Sequence, residues 1–247
     1  MIRQLSQHKS IRKYTNQPVG KELLDAVLEA GVRASNTGNM QLYSIVVTQD
    51  EEMKEKLSPS HFNQPMVKGA PVVITFCADF RRFHQWCELN NADASYDDFL
   101  WLMCGTIDSM LVAQNVCVAA ESKGLGICYL GTTLYNAPQI IDTLSLPKGV
   151  VPITTVTMGW PDEAPALTDR LPMNSVVHYE SYNDFTDEQI KEFYSHKESL
   201  EESIQFVKEN NKENLAQVYT DVRYKRGDNE HFTKVLKETL IAQGFKL

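Results

Sequence analysis

Tyr96-Asp97-Asp98-Phe99-Leu100-Trp101-Leu102-Met103-Cys104-Gly105-Thr106-Ile107-Asp108-Ser109-Met110-Leu111-Val112-Ala113-Gln114-Asn115-Val116-Cys117-Val118-Ala119-Ala120-Glu121-Ser122 reads as one long helix. Phe99, Leu102, Met103, Ile107, Met110, Leu111 and Val116 recur at helical spacing. Leu100, Trp101 and Cys117 widen that stripe until it covers most of the circumference. An ordinary surface helix carries a single apolar stripe. One that is apolar nearly all round is buried centrally or shared with a second copy of the chain. The fold has to be built around this segment.

Working outward, Gly124 and Gly126 end the helix and Ile127-Cys128-Tyr129-Leu130 begins a strand. Pro152 to Gly159 is a further strand, closed by Gly159-Trp160-Pro161. Upstream, Pro71 to Cys77 reads as a buried strand and Ser44 to Thr48 as another. A helix is expected over Lys21–Arg33, with Leu23, Leu24, Val27, Leu28 and Val32 on one face, and a short one before His8. Between them Ser35-Asn36-Thr37-Gly38-Asn39 has the composition of a loop. From about Asp184 the chain becomes polar with thin apolar stripes, which suits surface helices or arms. Helices mixed with sequence-distant strands predict an α/β (α+β) fold of three α/β/α layers. We expect a core over 1–182 and a charged helical extension over 183–247, packed on the core or on a partner subunit.

The bulk properties narrow the function. The chain has 247 residues, 43% hydrophobic and 23% charged, with a net charge of −8. A general nucleic-acid binder carries a basic surface, so no nucleic-acid partner is expected. The uncharged apolar stretches are shorter than a bilayer span and the first residues lack a signal-peptide core, so a cytoplasmic protein without a membrane partner is expected. The five cysteines form no C-x-x-C pair and are expected as reduced thiols, and no metal site stands out.

Four segments carry candidate chemistry. In an extended His8-Lys9-Ser10-Ile11-Arg12, alternate residues share a face, so His8, Ser10 and Arg12 point together. Cationic groups with a hydroxyl suit a phosphate, and arginine offers a bidentate fork. The same residues also suit a solvated basic turn. Asn36-Thr37-Gly38-Asn39-Met40-Gln41 offers short amide side chains that can read the edge of a planar ring, or simply a polar connection. Gly131, followed by Thr132, lets the backbone approach a ligand and present an N–H, or merely ends a strand. The Gly124-Leu125-Gly126 pattern precedes a strand, so it is not a dinucleotide fingerprint. Late in the core, Arg170 is a further anion ligand or a surface arginine. No nucleophile stands in a recognisable triad.

Taken in order, His8 to Tyr14, Ser35 to Gln41, Val67-Lys68-Gly69-Ala70-Pro71, Asp108, Ala113-Gln114-Asn115, Ala119 to Ser122, Gly124-Leu125-Gly126, Gly159-Trp160-Pro161 and Arg170-Leu171-Pro172 resemble the nitroreductase superfamily. Within it they resemble the NADPH-dependent, FMN-containing flavin/nitroreductase branch with a long C-terminal extension. The resemblance covers about 5–182 strongly and reaches the tail through Arg223 to Phe245. It implies a homodimer with two non-covalent FMN sites at the subunit interface. By that resemblance His8, Lys9, Ser10 and Arg12 hold the phosphate and ribityl chain, and Arg170 returns to the phosphate. Asn36, Asn39, Gln41 and Gln64 contact the ring or ribityl oxygens, mostly from the partner. Gly131 with Thr132 puts a backbone N–H near flavin N5. The chain departs from the branch at Thr168, where a lysine is common.

The implied chemistry is ping-pong hydride transfer from NAD(P)H, NADPH being the expected reductant, to a nitroaromatic, quinone or free flavin. The cofactor carries the reaction, so no catalytic side chain is named. The basic stretch Arg223-Tyr224-Lys225-Arg226 suits a 2′-phosphate, or a solvated turn. Two rivals remain: the same fold used for reductive dehalogenation or flavin fragmentation, and a non-enzymatic FMN carrier or sensor.

Overall fold

The computed structural model describes residues 2–247. Its elements in order are α1 (Arg3–Ser6), α2 (Lys21–Gly31), β1 (Tyr43–Thr48), α3 (Glu51–Leu57), α4 (Pro65–Gly69), β2 (Val72–Asp79), α5 (Arg81–Leu89), α6 (Phe99–Ser122), β3 (Gly126–Leu130), α7 (Ala137–Thr143), β4 (Val150–Gly159), α8 (Asp187–Ser199), α9 (Glu201–Glu209), α10 (Leu215–Val218) and α11 (Arg226–Ala242). The four strands form one antiparallel sheet in the order β1-β2-β4-β3. Every residue of the two central strands, β2 and β4, is buried. Their continuous apolar runs therefore require cover on both faces.

Strand alternation supplies the two faces. Val72, Ile74 and Phe76 of β2 point with Ile127, Val156 and Met158 towards α2 and α6, where they meet Leu24, Val27, Val112 and Val116. Val73, with Cys128 and Leu130 of β3, points the other way into Leu57, Met66, Val67 and Ile140 on α3, α4 and α7. The expected three-layer α/β/α arrangement is what forms. α3, α4, α5 and α7 are absent from the sequence-based reading, being only five to nine residues long. So short a segment gives at most about two and a half turns of periodicity.

α6 behaves as its composition requires. One side packs on the sheet and on α2 through Leu102, Gly105, Val112, Ala113, Val116 and Ala120. The other side leaves Phe99, Leu100, Met103, Ile107, Met110 and Leu111 exposed, the six lying between 39% and 66%. This is also the one described helix long and apolar enough to cross a membrane by length and composition. Its buried face on the sheet, and a buried aspartate at mid-helix, identify it as a core helix instead.

The chain groups into two compact units. One runs to Ala166 and takes in Phe232–Leu247; the other is Leu167–His231. The boundary expected at 182 thus lies inside the second unit, and the last sixteen residues join the first. They do so because Leu240 and Phe245 complete an apolar cluster with Leu42, Phe80, Leu102 and Ile153. Gln243 Nε2 also donates to the Val150 carbonyl at 2.8 Å. The second unit is built from α8 to α10 and the start of α11. Thr186 and Gln189 form a capping box at the head of α8, and Phe193 packs under Phe185.

Gly105 sits where α6 crosses Phe80. A Cβ there would lie 2.7 Å from the ring of a fully buried phenylalanine. Alanine in a helix gains up to about 1 kcal/mol over glycine, but overpacking of this kind costs roughly 1–3 kcal/mol. Gly105→Ala is therefore expected to destabilise the protein by about 1–2 kcal/mol in denaturant unfolding, against the propensity scale. A stabilised variant would show that Phe80 moves freely.

Candidate functional site

β3 is an edge strand, and its free edge is covered by the basic segment. The Ile11 N–H donates to the Ile127 carbonyl at 2.8 Å, and Ser10 pairs with Ile127 in parallel. Tyr14 then turns away to pair with Pro161, its hydroxyl 2.8 Å from Thr157 Oγ1. His8, Lys9 and Ser10 are half-buried and Arg12 is exposed. Two carboxylates that sequence reading gave no role accompany them. Glu121, at the end of α6, lies 2.7 Å from His8 Nδ1. Glu163 accepts the backbone N–H groups of Arg12 and Lys13 at 2.5 and 3.2 Å. Burial raises the Cys128 thiol above its ordinary pKa, and the positive charge of Arg12 opposes that rise.

The strand leads directly into Gly131 and Thr132. Gly131 is exposed, and a Cβ built on it would meet nothing within 4 Å. Thr132 Oγ1 lies 2.9 Å from His61 Nδ1 and 3.4 Å from Gln64 Nε2. Asn136, a little further on, donates to the Ser60 carbonyl at 2.9 Å. Gln64, Gly131 and Thr132 are thereby gathered at the end of the strand that carries Ser10 and Arg12. His61, which links them, was not singled out in the sequence; a lone histidine gives no signal until its neighbours are known.

Asn36, Asn39 and Gln41 lie on the α2–β1 loop, at the opposite edge of the sheet. Three interstrand steps separate the edges by about 14 Å. Gly38, Asn39 and Gln41 all take left-handed backbone angles, φ 57, 56 and 53°. The loop is pinned from beneath by Asp108, 1% exposed in the middle of α6. Its Oδ1 accepts the Thr37 N–H at 2.8 Å and the Thr37 hydroxyl at 2.9 Å; Oδ2 accepts the Leu42 N–H at 3.4 Å. On the outer side the Arg82 guanidinium donates to the carbonyls of Gln41 and Tyr43. An aspartate inside an otherwise apolar helix was the available signal for this anchor. Asn36 accepts the Gln41 N–H at 3.2 Å, and Asn39 and Gln41 remain exposed.

Arg170 belongs to the second unit, where it is exposed and donates to Thr168 Oγ1 and to the Asp169 carbonyl, both at 2.8 Å. In the same unit the Arg223 guanidinium lies 4.4 Å above the Phe206 ring. The cysteines are all free, four of them buried. Burial pushes the Cys77 and Cys117 thiols up to about 12, so neither offers a thiolate.

The nitroreductase family model matches residues 5–160. This chain belongs to the nitroreductase family. The family's fold neighbours include a crystal structure from Bacteroides fragilis that is 53% identical, covering 98% of this chain and 99% of that one, with a TM-score of 0.97. An FMN reductase [NAD(P)H] of Bacillus subtilis is 31% identical over 264 residues, 100% of this chain and 98% of its own length. An oxygen-insensitive NADPH nitroreductase of Salmonella typhimurium is 35% identical over 200 residues, 78% of this chain and 82% of its own.

His61 is fully buried, and burial pushes its pKa down to about 4. The unfolded chain takes up a proton near the ordinary value of about 6.5, while the folded protein resists until about 4. Stability is therefore full above about 6.5 and is lost as pH falls towards 4, this one group contributing up to about 3 kcal/mol. Chemical unfolding of wild type and His61→Phe between pH 7.5 and 4.5 should show a shallower acid slope in the variant. Equal slopes would remove the assignment.

Proposed function

We propose that this chain is an FMN-dependent oxidoreductase that passes a hydride from NAD(P)H to nitroaromatics, quinones or free flavin by a ping-pong mechanism, as a cytoplasmic homodimer. The observation that carries the reading is the division of the candidate residues. The basic segment, Gln64 and the Gly131–Thr132 turn share one edge of the sheet, and the amide-bearing loop occupies the other. Beside them α6 presents six exposed apolar side chains on one helix. A second copy laid along α6 covers that stripe and brings an amide loop to a neighbouring basic segment. The names of the Bacillus and Salmonella relatives support the same cofactor and reductant.

The residues fit the cofactor. His8, Lys9, Ser10 and Arg12 supply positive charge and a hydroxyl for the FMN phosphate, which a protein of net charge −8 must hold locally. The open face of Gly131 lets a planar ring approach the backbone, and the Gly131–Thr132 peptide offers it an N–H. Asn36, Asn39 and Gln41 offer amide groups to the ring edge or ribityl oxygens from a partner. Bound FMN would supply hydride acceptance and donation; the chain positions it and excludes water. The reductant proposed is NADPH, whose 2′-phosphate the basic stretch Arg223-Tyr224-Lys225-Arg226 suits.

Arg12 is the most exposed cation of the segment. A charge-assisted hydrogen bond contributes roughly 1.5–3 kcal/mol, so Arg12→Ala should weaken FMN binding by about one to two orders of magnitude. Arg12→Lys should recover part of it, keeping the charge without the fork. Riboflavin, which lacks the phosphate, should bind wild type and Arg12→Ala alike; equal losses for both ligands would show that Arg12 supports the fold or the ring. Sedimentation should give a dimer at micromolar concentration, because so much apolar surface on one helix is unfavourable in water. A stable FMN-loaded monomer would contradict the shared site.

A further inference from the structure

On the reading just proposed, which this inference deepens, the Gly131–Thr132 peptide faces the cofactor ring. What holds that peptide is the turn over 58–64. We infer that His61 and Gln64 are positioning residues that lock the Thr132 hydroxyl and so fix the Gly131–Thr132 peptide against the cofactor. The hydroxyl oxygen lies 2.9 Å from His61 Nδ1 and 3.4 Å from Gln64 Nε2. An amide nitrogen only donates, and a hydroxyl has one proton to give. The Gln64 amide therefore donates to Thr132 Oγ1, and His61 Nδ1 shares a second hydrogen bond with the same hydroxyl.

Burial keeps the His61 ring neutral, so Nδ1 either accepts the Thr132 proton or donates its own to that oxygen. His61 Nε2 is itself buried without a hydrogen-bond partner. A leucine or phenylalanine there would avoid that cost, so the imidazole is explained by what its other nitrogen does. Two further contacts bind the same pair of loops. Asn136 Nδ2 donates to the Ser60 carbonyl at 2.9 Å, and the Phe62 ring stands edge-on to Tyr135 at 6.4 Å. Phe62 and Asn63 hold left-handed backbone angles, φ 54 and 53°; asparagine adopts this readily, whereas a phenylalanine does not choose it by itself. The Gly131–Thr132 peptide is thus placed by a rigid neighbour, although its own glycine is flexible.

Two measurements test this. Long-range ¹H–¹⁵N NMR of the FMN-free protein at pH 7 should show His61 as a neutral imidazole, with the Nδ1 resonance moving in Thr132→Val, which keeps the peptide and removes the hydroxyl. An imidazolium, or an Nδ1 resonance that stays unmoved in Thr132→Val, overturns the inference. Anaerobic flavin reduction by NADPH should slow about tenfold in Thr132→Val and in His61→Phe, with FMN affinity within about threefold of wild type. The double variant should be no slower than the slower single one, and His61→Asn, which restores a hydrogen-bonding group near Nδ1, should recover most of the rate. Effects that multiply in the double variant, or an unchanged rate in Thr132→Val, overturn it. If His61→Phe fails to fold, the reduction rate and the Nδ1 resonance in Thr132→Val decide alone. A wild-type protein that binds no FMN sinks the cofactor reading beneath the inference, while NMR still reports on the His61–Thr132 bond.

Discussion

A helix of 24 residues that is apolar on nearly every side cannot be satisfied by a single sheet. One face of α6 fills the space over β2 and β4, and small residues such as Gly105 and Ala113 let it approach closely. The remaining apolar face is left facing outward. Nearly every feature of the candidate site depends on this helix. Its middle carries Asp108, which organises the amide loop, and its end carries Glu121, which engages His8. The helix that leaves an apolar face outward thus also contributes to the geometry at both edges of the sheet.

The buried carboxylate at 108 shows how a polar group can be tolerated in that setting. Burying it is costly unless its oxygens are hydrogen-bonded. Two backbone N–H groups and one hydroxyl meet that need, and they come from a loop whose left-handed residues would otherwise be mobile. Satisfying the carboxylate and shaping the loop are the same event. At the other edge, the Thr132 hydroxyl between His61 and Gln64 works in a similar way, a few polar atoms setting the path of exposed backbone.

Much of the fold was legible in the sequence. α6, α2 and the four strands carry strong apolar periodicity or continuous apolar runs, and their ends fall within a few residues of expectation. The short helices α3, α4, α5 and α7 were not, because periodicity needs length to register. Within the site, the basic run and the glycine at 131 could be singled out by composition, and the ordered motifs named the family. The carboxylates Glu121 and Glu163 and the buried His61 could not. Their roles arise from contacts between residues 71 to 151 positions apart, which no local pattern records. The tail's return to the core was hidden for a related reason. The tail reads as polar with thin apolar stripes, and among its apolar residues Leu240 and Phe245 are buried in the core cluster.

That return bears on how the protein is made. Leu42, Phe80, Leu102 and Ile153 are covered by Leu240 and Phe245, which leave the ribosome after all of them. While the intervening second unit is being translated, the apolar floor at that end of the sheet is open to water or to any other chain nearby. The apolar cluster of the sheet unit is therefore completed only once Leu240 and Phe245 have been synthesised.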